Sequence, residues 1–193
     1  MDRKSEIINA AVEIINKEGF VNFSVGKVSN KLGISKGVFS YHFPTKDLLL
    51  KAIVDHYFEQ AAKFMSQHIR SENGACDALD SYIEACLYYA ASDKERTVCV
   101  VDIMLNCRTE NGKHLFQDDG STTQVLLEIF QYGQKEDGSF RDFSPIIMAK
   151  SVRSIIDTMS LWIANNKAID VESTVAEVKK IVQLATQKGG NEL

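Results

Sequence analysis

An all-helical chain is predicted by two observations. The sequence has only two prolines in 193 residues and no alternating apolar–polar run of strand length. Apolar residues instead recur at helical spacing, between residues suited to capping, almost throughout. The first segment, MDRKSEIINAAVEIINKEGF, sets Ile7, Ile8, Ala11, Val12 and Ile15 on one face and stops at Gly19. Phe20 and Phe23 then close a small core. The segment's charges mark it as an amphipathic helix and not a signal peptide with a continuous apolar centre, which points to a cytoplasmic protein.

The stretch Ser24 to Asp47, SVGKVSNKLGISKGVFSYHFPTKD, signals three helix starts in about two dozen residues. Ser24 caps a helix in which Val25, Val28 and Leu32 keep helical spacing, and Gly33 supplies the freedom a tight turn needs. Ile34 plugs the core, and Ser35 caps a second helix with Val38 and Phe39 inward. Lys36, Gly37, Ser40, Tyr41 and His42 are left outward. Pro44 stops this helix, and Thr45 caps a third that opens Lys46-Asp47-Leu48-Leu49. Two short helices joined by a Gly-containing turn are the geometry of a helix-turn-helix, which lays its second helix in the DNA major groove with the N-terminal residues nearest the base edges.

The outward residue types suit that task. Lys36 can donate to guanine acceptors or to a phosphate, and Gly37 lets the backbone approach closely. Ser40, Tyr41 and His42 offer donors for phosphate oxygens. Lys46 stands in the first turn of the next helix, where free N–H groups and the positive dipole end already favour an anion. Taken singly, Lys36 reads as a solvated charge, Tyr41 as a half-buried core residue and His42 as structural. The ordered combination carries the reading. His42 has no second ligand at helical spacing, so no metal site is expected.

The third of these helices, from Lys46 to about Ile69, carries Leu48, Leu49, Ala52, Ile53 and Phe64 and joins two domains. Residues 71–77, SENGACD, break the pattern before Leu79, Tyr82, Ile83, Cys86, Leu87 and Ala90 mark another helix. Val98 to Leu105 has the composition of a buried strand, but its surroundings favour a buried helix. Arg108 to Thr123 reads as a loop before a helix around Gln124 to Gln134, and Lys135 to Ser144 as another loop. Pro145 sits at a first helical turn. Two helices close the chain: about Pro145 to Asn165, with Val152, Ile155, Ile156, Met159 and Ile163 inward, and about Val171 to Gln187, with Val175, Val178, Ile181, Val182 and Ala185 inward.

The formal net charge of −4 would argue against a nucleic-acid partner if it were evenly spread. Residues 1–55 instead hold +2 and the remainder −6. Only a DNA-facing part needs to be basic. The longest apolar stretch, Val98 to Leu105, is interrupted by Asp102 and is too short for a membrane span. Cys76, Cys86, Cys99 and Cys107 lack metal-ligand or disulfide-framework spacing, so buried thiols are expected, with a thiol-reactive sensor as the alternative. No nucleophile–base motif or phosphate loop points to an enzyme, and no cofactor is implied.

Residues 1 to about 50 resemble the N-terminal domain of the tetracycline-repressor (TetR) family. The resemblance rests on Ile7, Ala11, Gly19, Phe20, Val28, Leu32, Gly33, Ile34, Ser35, Lys36, Gly37, Phe39, His42, Phe43, Lys46 and Leu49. It implies an all-α fold with a three-helix helix-turn-helix DNA-binding domain at 1–50 and a helical effector-binding and dimerisation domain at 51–193. Phosphate contacts are implied from Ser24, Ser35, Tyr41, His42 and Lys46, and base-edge contacts from Lys36, Gly37, Val38 and Ser40. The Gly-x-Phe at 138–140 is similar to the family's connection into its penultimate helix.

The same resemblance implies a homodimer through the last two helices, bound to a palindromic double-stranded DNA operator. The alternative is that those helices only complete the monomer's core. It further implies a small hydrophobic or amphipathic effector in the middle of the chain, with Tyr82, Cys86, Tyr89, Met104, Phe116, Phe130, Met159 and Trp162 as candidate lining residues. Asp102, Arg153 and Asp157 are charges amid apolar neighbours, so they are paired, solvated or facing that ligand. The expectation is a transcriptional regulator, most simply a repressor released by its effector. The rival reading is an architectural DNA-binding protein without a ligand.

Overall fold

In a computed structural model, residues 2–108, 112, 115–116 and 120–188 are described. Among them the helices are α1 Arg3–Glu18, α2 Val25–Leu32, α3 Lys36–His42, α4 Lys46–His68, α5 Ala75–Ser92, α6 Lys94–Asn106, α7 Ser121–Lys135, α8 Pro145–Asn165 and α9 Val171–Thr186. A single 3-10 turn, Phe20–Asn22, follows α1. The all-α fold expected from the sequence is what forms. Val98 to Leu105 lies within helix α6, as its surroundings indicated. Helix α7 begins at Ser121, three residues before the expected start, with Gly120 as its cap. The loop expected at Arg108 to Thr123 falls partly outside the described residues.

The chain divides into two compact units that do not follow its order: residues 1–60 with 93–117, and residues 61–92 with 118–193. In the first unit, α1 packs against α2, α3 and α6. Its core holds Ile7, Ala11, Ile15, Phe39, Leu49 and Ile53 from the N-terminal helices together with Cys99, Val100 and Ile103 from α6. Polar ties fasten α6 there. Arg96 donates to Asn9 Oδ1 at 2.9 Å, Asn16 donates to the Glu95 carbonyl at 2.8 Å, and the Tyr57 and Thr97 hydroxyls meet at 3.0 Å in the interior.

In the second unit, α5 packs against α7, α8 and α9. Leu79, Tyr82, Leu126, Phe130, Val152, Ile156 and Val178 form its apolar centre, with Cys86 and Met159 against it. The Asp137 carboxylate accepts the first N–H of α5, from Ala75, at 2.8 Å and so ties the 135–144 loop to that helix. Phe140 is buried beside Phe130, with ring centroids 5.6 Å apart. The inward faces expected of α8 and α9 need one correction. Val152, Ile156, Ile163, Val175, Val178 and Val182 are buried, but Ile181 is 47% exposed. No helix among the described residues is long and apolar enough to cross a membrane.

Candidate nucleic-acid interface

Each of the three helix starts carries the cap its sequence offers. Ser24 Oγ accepts from the Lys27 N–H at 3.4 Å, Ser35 Oγ from the Val38 N–H at 3.2 Å, and Thr45 Oγ1 from the Leu48 N–H at 3.2 Å. A hydroxyl that accepts in this way keeps its own O–H free to donate outward. Between α2 and α3, Gly33 is left-handed at φ 62°, a region open to glycine at little cost. The turn is closed by its N–H on the Asn30 carbonyl at 3.2 Å and the Ile34 N–H on the Ser29 carbonyl at 3.0 Å.

Phe39 sets the orientation of α3. Its ring is 1% exposed and lies 6.2 Å from that of Phe43, so the opposite side of this short helix faces out. Ser35, Lys36, Gly37, Ser40 and Tyr41 are exposed there, and Tyr41 at 85% is a free hydroxyl-bearing ring rather than a core residue. His42 is half-buried, edge-on to Tyr41 at 5.1 Å. Val38, read from periodicity as inward, is 41% exposed, because in a helix of seven residues Phe39 alone reaches the core.

The cations differ in what holds them. Lys27 pairs with Glu18 at 2.5 Å and Lys31 with Glu13 at 2.6 Å, so both are partly neutralised by α1. Lys36 has no ion-pair partner among the described residues, which leaves its charge available on the exposed face. Lys46 is half-buried. Its Nζ donates to the Phe23 carbonyl at 3.4 Å and lies over the Phe20 and Phe23 rings at 5.0 and 5.2 Å. The sequence pointed to Lys46 through its helix position and missed this anchorage, because its partners stand more than 20 residues earlier.

Sequence reasoning also passed over Ser29 and Asn30. A groove of about 520 Å³ is lined by Ser24, Val25, Gly26, Ser29, Asn30, Ile34 and Lys36. Ser29 Oγ is buried there without a hydrogen-bond partner among the described residues. A hydroxyl one position after the inward Val28 was the available signal. The groove thus joins the cap of α2 to the first residue of α3.

Residues 7–53, the span that builds this arrangement, match the family model of bacterial regulatory proteins, tetR family. Over that span the chain is similar to the TetR family. The HTH-type transcriptional regulator CymR of Pseudomonas putida is 35% identical over 60 residues, 31% of this chain and 30% of that protein's length. The HTH-type transcriptional activator FasR of Mycolicibacterium smegmatis is 20% identical over 174 residues, 90% of this chain and 78% of that protein. A solved tetR-family regulatory protein from Rhodococcus RHA1 superposes with a TM-score of 0.83 at 19% identity, over 98% of this chain and 100% of that one. At that identity the likeness is one of fold. These relatives are named as regulators, none as an enzyme.

The candidate effector residues are distributed unevenly. Tyr82, Cys86, Phe130 and Met159 come together in the second unit's apolar cluster, where Tyr82 and Phe130 are 2% and 0% exposed. Tyr89 lies 5.6 Å from Phe64, and Trp162 on α8 is 49% exposed. Arg153 Nη1 points to the Tyr82 hydroxyl at 3.4 Å and to Cys86 Sγ at 3.9 Å, while Asp157 takes its other nitrogens. Burial works against the charge on Arg153, but the Asp157 hydrogen bond and the polar groups around it raise its pKa above the usual value. Burial pushes the Cys86 thiol up as well. Asp102, Met104 and Phe116 belong to the first unit, where Asp102 accepts from the Phe20 N–H and from Asn106.

Proposed function

We propose that this chain is a sequence-specific, DNA-binding transcriptional regulator that works as a homodimer and responds to a small hydrophobic or amphipathic effector. One observation carries the reading: α3 is capped by Ser35, anchored by Phe39, and presents Lys36, Gly37, Ser40 and Tyr41 on one exposed surface. Residues at the N-terminal end of such a helix are those that reach base edges, so Lys36, Gly37, Val38 and Ser40 are assigned to base reading. Ser24, Ser35, Tyr41, His42 and Lys46 are assigned to phosphates, which fix register without reading sequence. The functional division falls near residue 50, with the reading head before it and effector binding and dimerisation after it.

A single short helix makes few contacts, and two arms about 34 Å apart reach successive major-groove turns. Outward-facing Ile147, Ile181 and Leu184 on α8 and α9, between 47% and 72% exposed, support a self-complementary apolar interface. The effector is assigned to the second unit around Tyr82, Cys86, Tyr89, Phe130, Met159 and Trp162. In the simplest scheme the free dimer blocks transcription and the effector releases it. FasR is named an activator, so a reporter gene driven from the bound promoter decides the direction.

The deciding experiment is selection of bound duplexes from a random pool followed by footprinting. Lys36→Ala is expected to alter the preferred sequence, and Lys46→Ala to weaken all sequences alike. Uniform loss in both variants would remove base reading from Lys36. Weak preference with steep salt dependence in the native chain would favour an architectural protein instead.

A further inference from the structure

Lys46 does not hold its place alone. Its ammonium rests on Phe20 and Phe23, at 5.0 and 5.2 Å from the ring centres, and donates to the Phe23 carbonyl. Both rings belong to the short segment after α1, and that segment is fixed at its first residue by a group 82 positions further on. The Phe20 N–H donates to Asp102 Oδ2 at 3.1 Å. The other carboxylate oxygen accepts from Asn106 Nδ2 at 2.6 Å, and the same amide bonds the Asp102 carbonyl at 3.0 Å, so the carboxylate is itself oriented. All of these groups lie in the first compact unit.

A lysine side chain loses much rotamer freedom when it docks on a phosphate, and prior restraint lowers that cost. The ammonium has three donors, of which the Phe23 carbonyl takes one. We propose that Asp102, on α6, is a positioning residue for the DNA phosphate contact of Lys46, acting through the Phe20 backbone and the two rings. The assignment rests on the DNA-binding reading above. It removes Asp102 from the effector-lining residues and gives α6 a defined chemical hold on the reading head. Loss of the carboxylate frees the Phe20 N–H, loosens the ring pair and leaves Lys46 unrestrained.

The test uses the full chain and a labelled mixed-sequence duplex of about three helical turns, with affinity followed by fluorescence anisotropy from about 50 to 200 mM salt. Lys46→Ala is expected to reduce the slope of log affinity against log salt by about 0.9 per reading head. Asp102→Ala should lower the slope by a similar amount, and the double variant should fall no further. Asp102→Asn, which keeps an acceptor for the Phe20 N–H, should restore the native slope. Asp102→Glu, which retains the charge but displaces the acceptor, should lower it and serves if the alanine variant does not fold.

A native slope in Asp102→Ala or Asp102→Glu, additive losses in the double variant, or failure of Asp102→Asn to rescue overturns the inference alone. A native chain that ignores the duplex at low salt overturns the DNA-binding reading and this inference with it.

Discussion

Phe39 and Gly133 each decide something their neighbours cannot. Phe39 is the one buried side chain of α3, and it turns a seven-residue helix so that Lys36 and Tyr41 face out. Gly133 lets Phe140 fold back onto α7: a Cβ there would stand 2.2 Å from Phe140 Cδ2 and 2.8 Å from Ala75 Cβ. Neither neighbour has room to retreat, since both are 1% exposed. Gly133→Ala should therefore destabilise the chain by about 1–3 kcal/mol, despite alanine's better helix propensity. Chemical denaturation measures it, and an unchanged midpoint would mean that the Phe140 ring moves freely. Cys99 makes a contrasting point. Burial pushes its thiol up to about 12, so at neutral pH it is a protonated core group. A thiol reagent should label it only on unfolding; rapid labelling of the native chain would restore the sensor reading for this residue.

At the scale of elements, the sequence was most legible where a boundary is set by local chemistry. Pro145 and Asn165 bound α8 as expected, and the caps at Ser24, Ser35 and Thr45 sit where a side-chain oxygen three residues before a free N–H places them. What stayed hidden is held across distance. Asp137 satisfies the N–H of Ala75, 62 residues earlier, and nothing in the intervening sequence signals that pairing. The hold of Asp102 on Phe20 escaped for the same reason, and Val38 was misplaced because a seven-residue helix has too few turns for periodicity to define a face.

Asp137 also yields a pH test. Burial raises its pKa, but the Ser139 hydroxyl and the N–H groups of Ala75 and Ser139 outweigh that and leave it below the ordinary 3.8. A carboxyl lowered in this way stabilises fully above that value, and its contribution is lost as pH falls through the lowered one. Asp137→Ala should cost about 1 kcal/mol at neutral pH, as loss of a helix cap does. It should also flatten the acid limb of stability against pH. An unaltered acid limb would show that the carboxylate is equally solvated when the chain unfolds.

For the whole molecule, the prediction concerns symmetry. Ile147 and Leu184 are 67% and 72% exposed on α8 and α9, so replacing both with glutamate costs the isolated chain little. The same change places like charges in the proposed dimer interface. Sedimentation should show a monomer with native circular dichroism, and operator affinity should collapse because two tethered heads become two separate ones. A dimer that persists would move the interface elsewhere. Effector and DNA must weaken each other by equal factors if they favour different states, so titrating either in the presence of the other measures one coupling constant. The interleaved make-up of the first unit bears on synthesis. Residues 1–60 reach their full set of contacts only with 93–117, so a nascent chain paused before that stretch leaves the ribosome holds the Asn9, Asn16 and Phe20 ends of three hydrogen bonds with their partners not yet made. Translation must pass residue 102 before Phe20, and with it the seat of Lys46, can be secured.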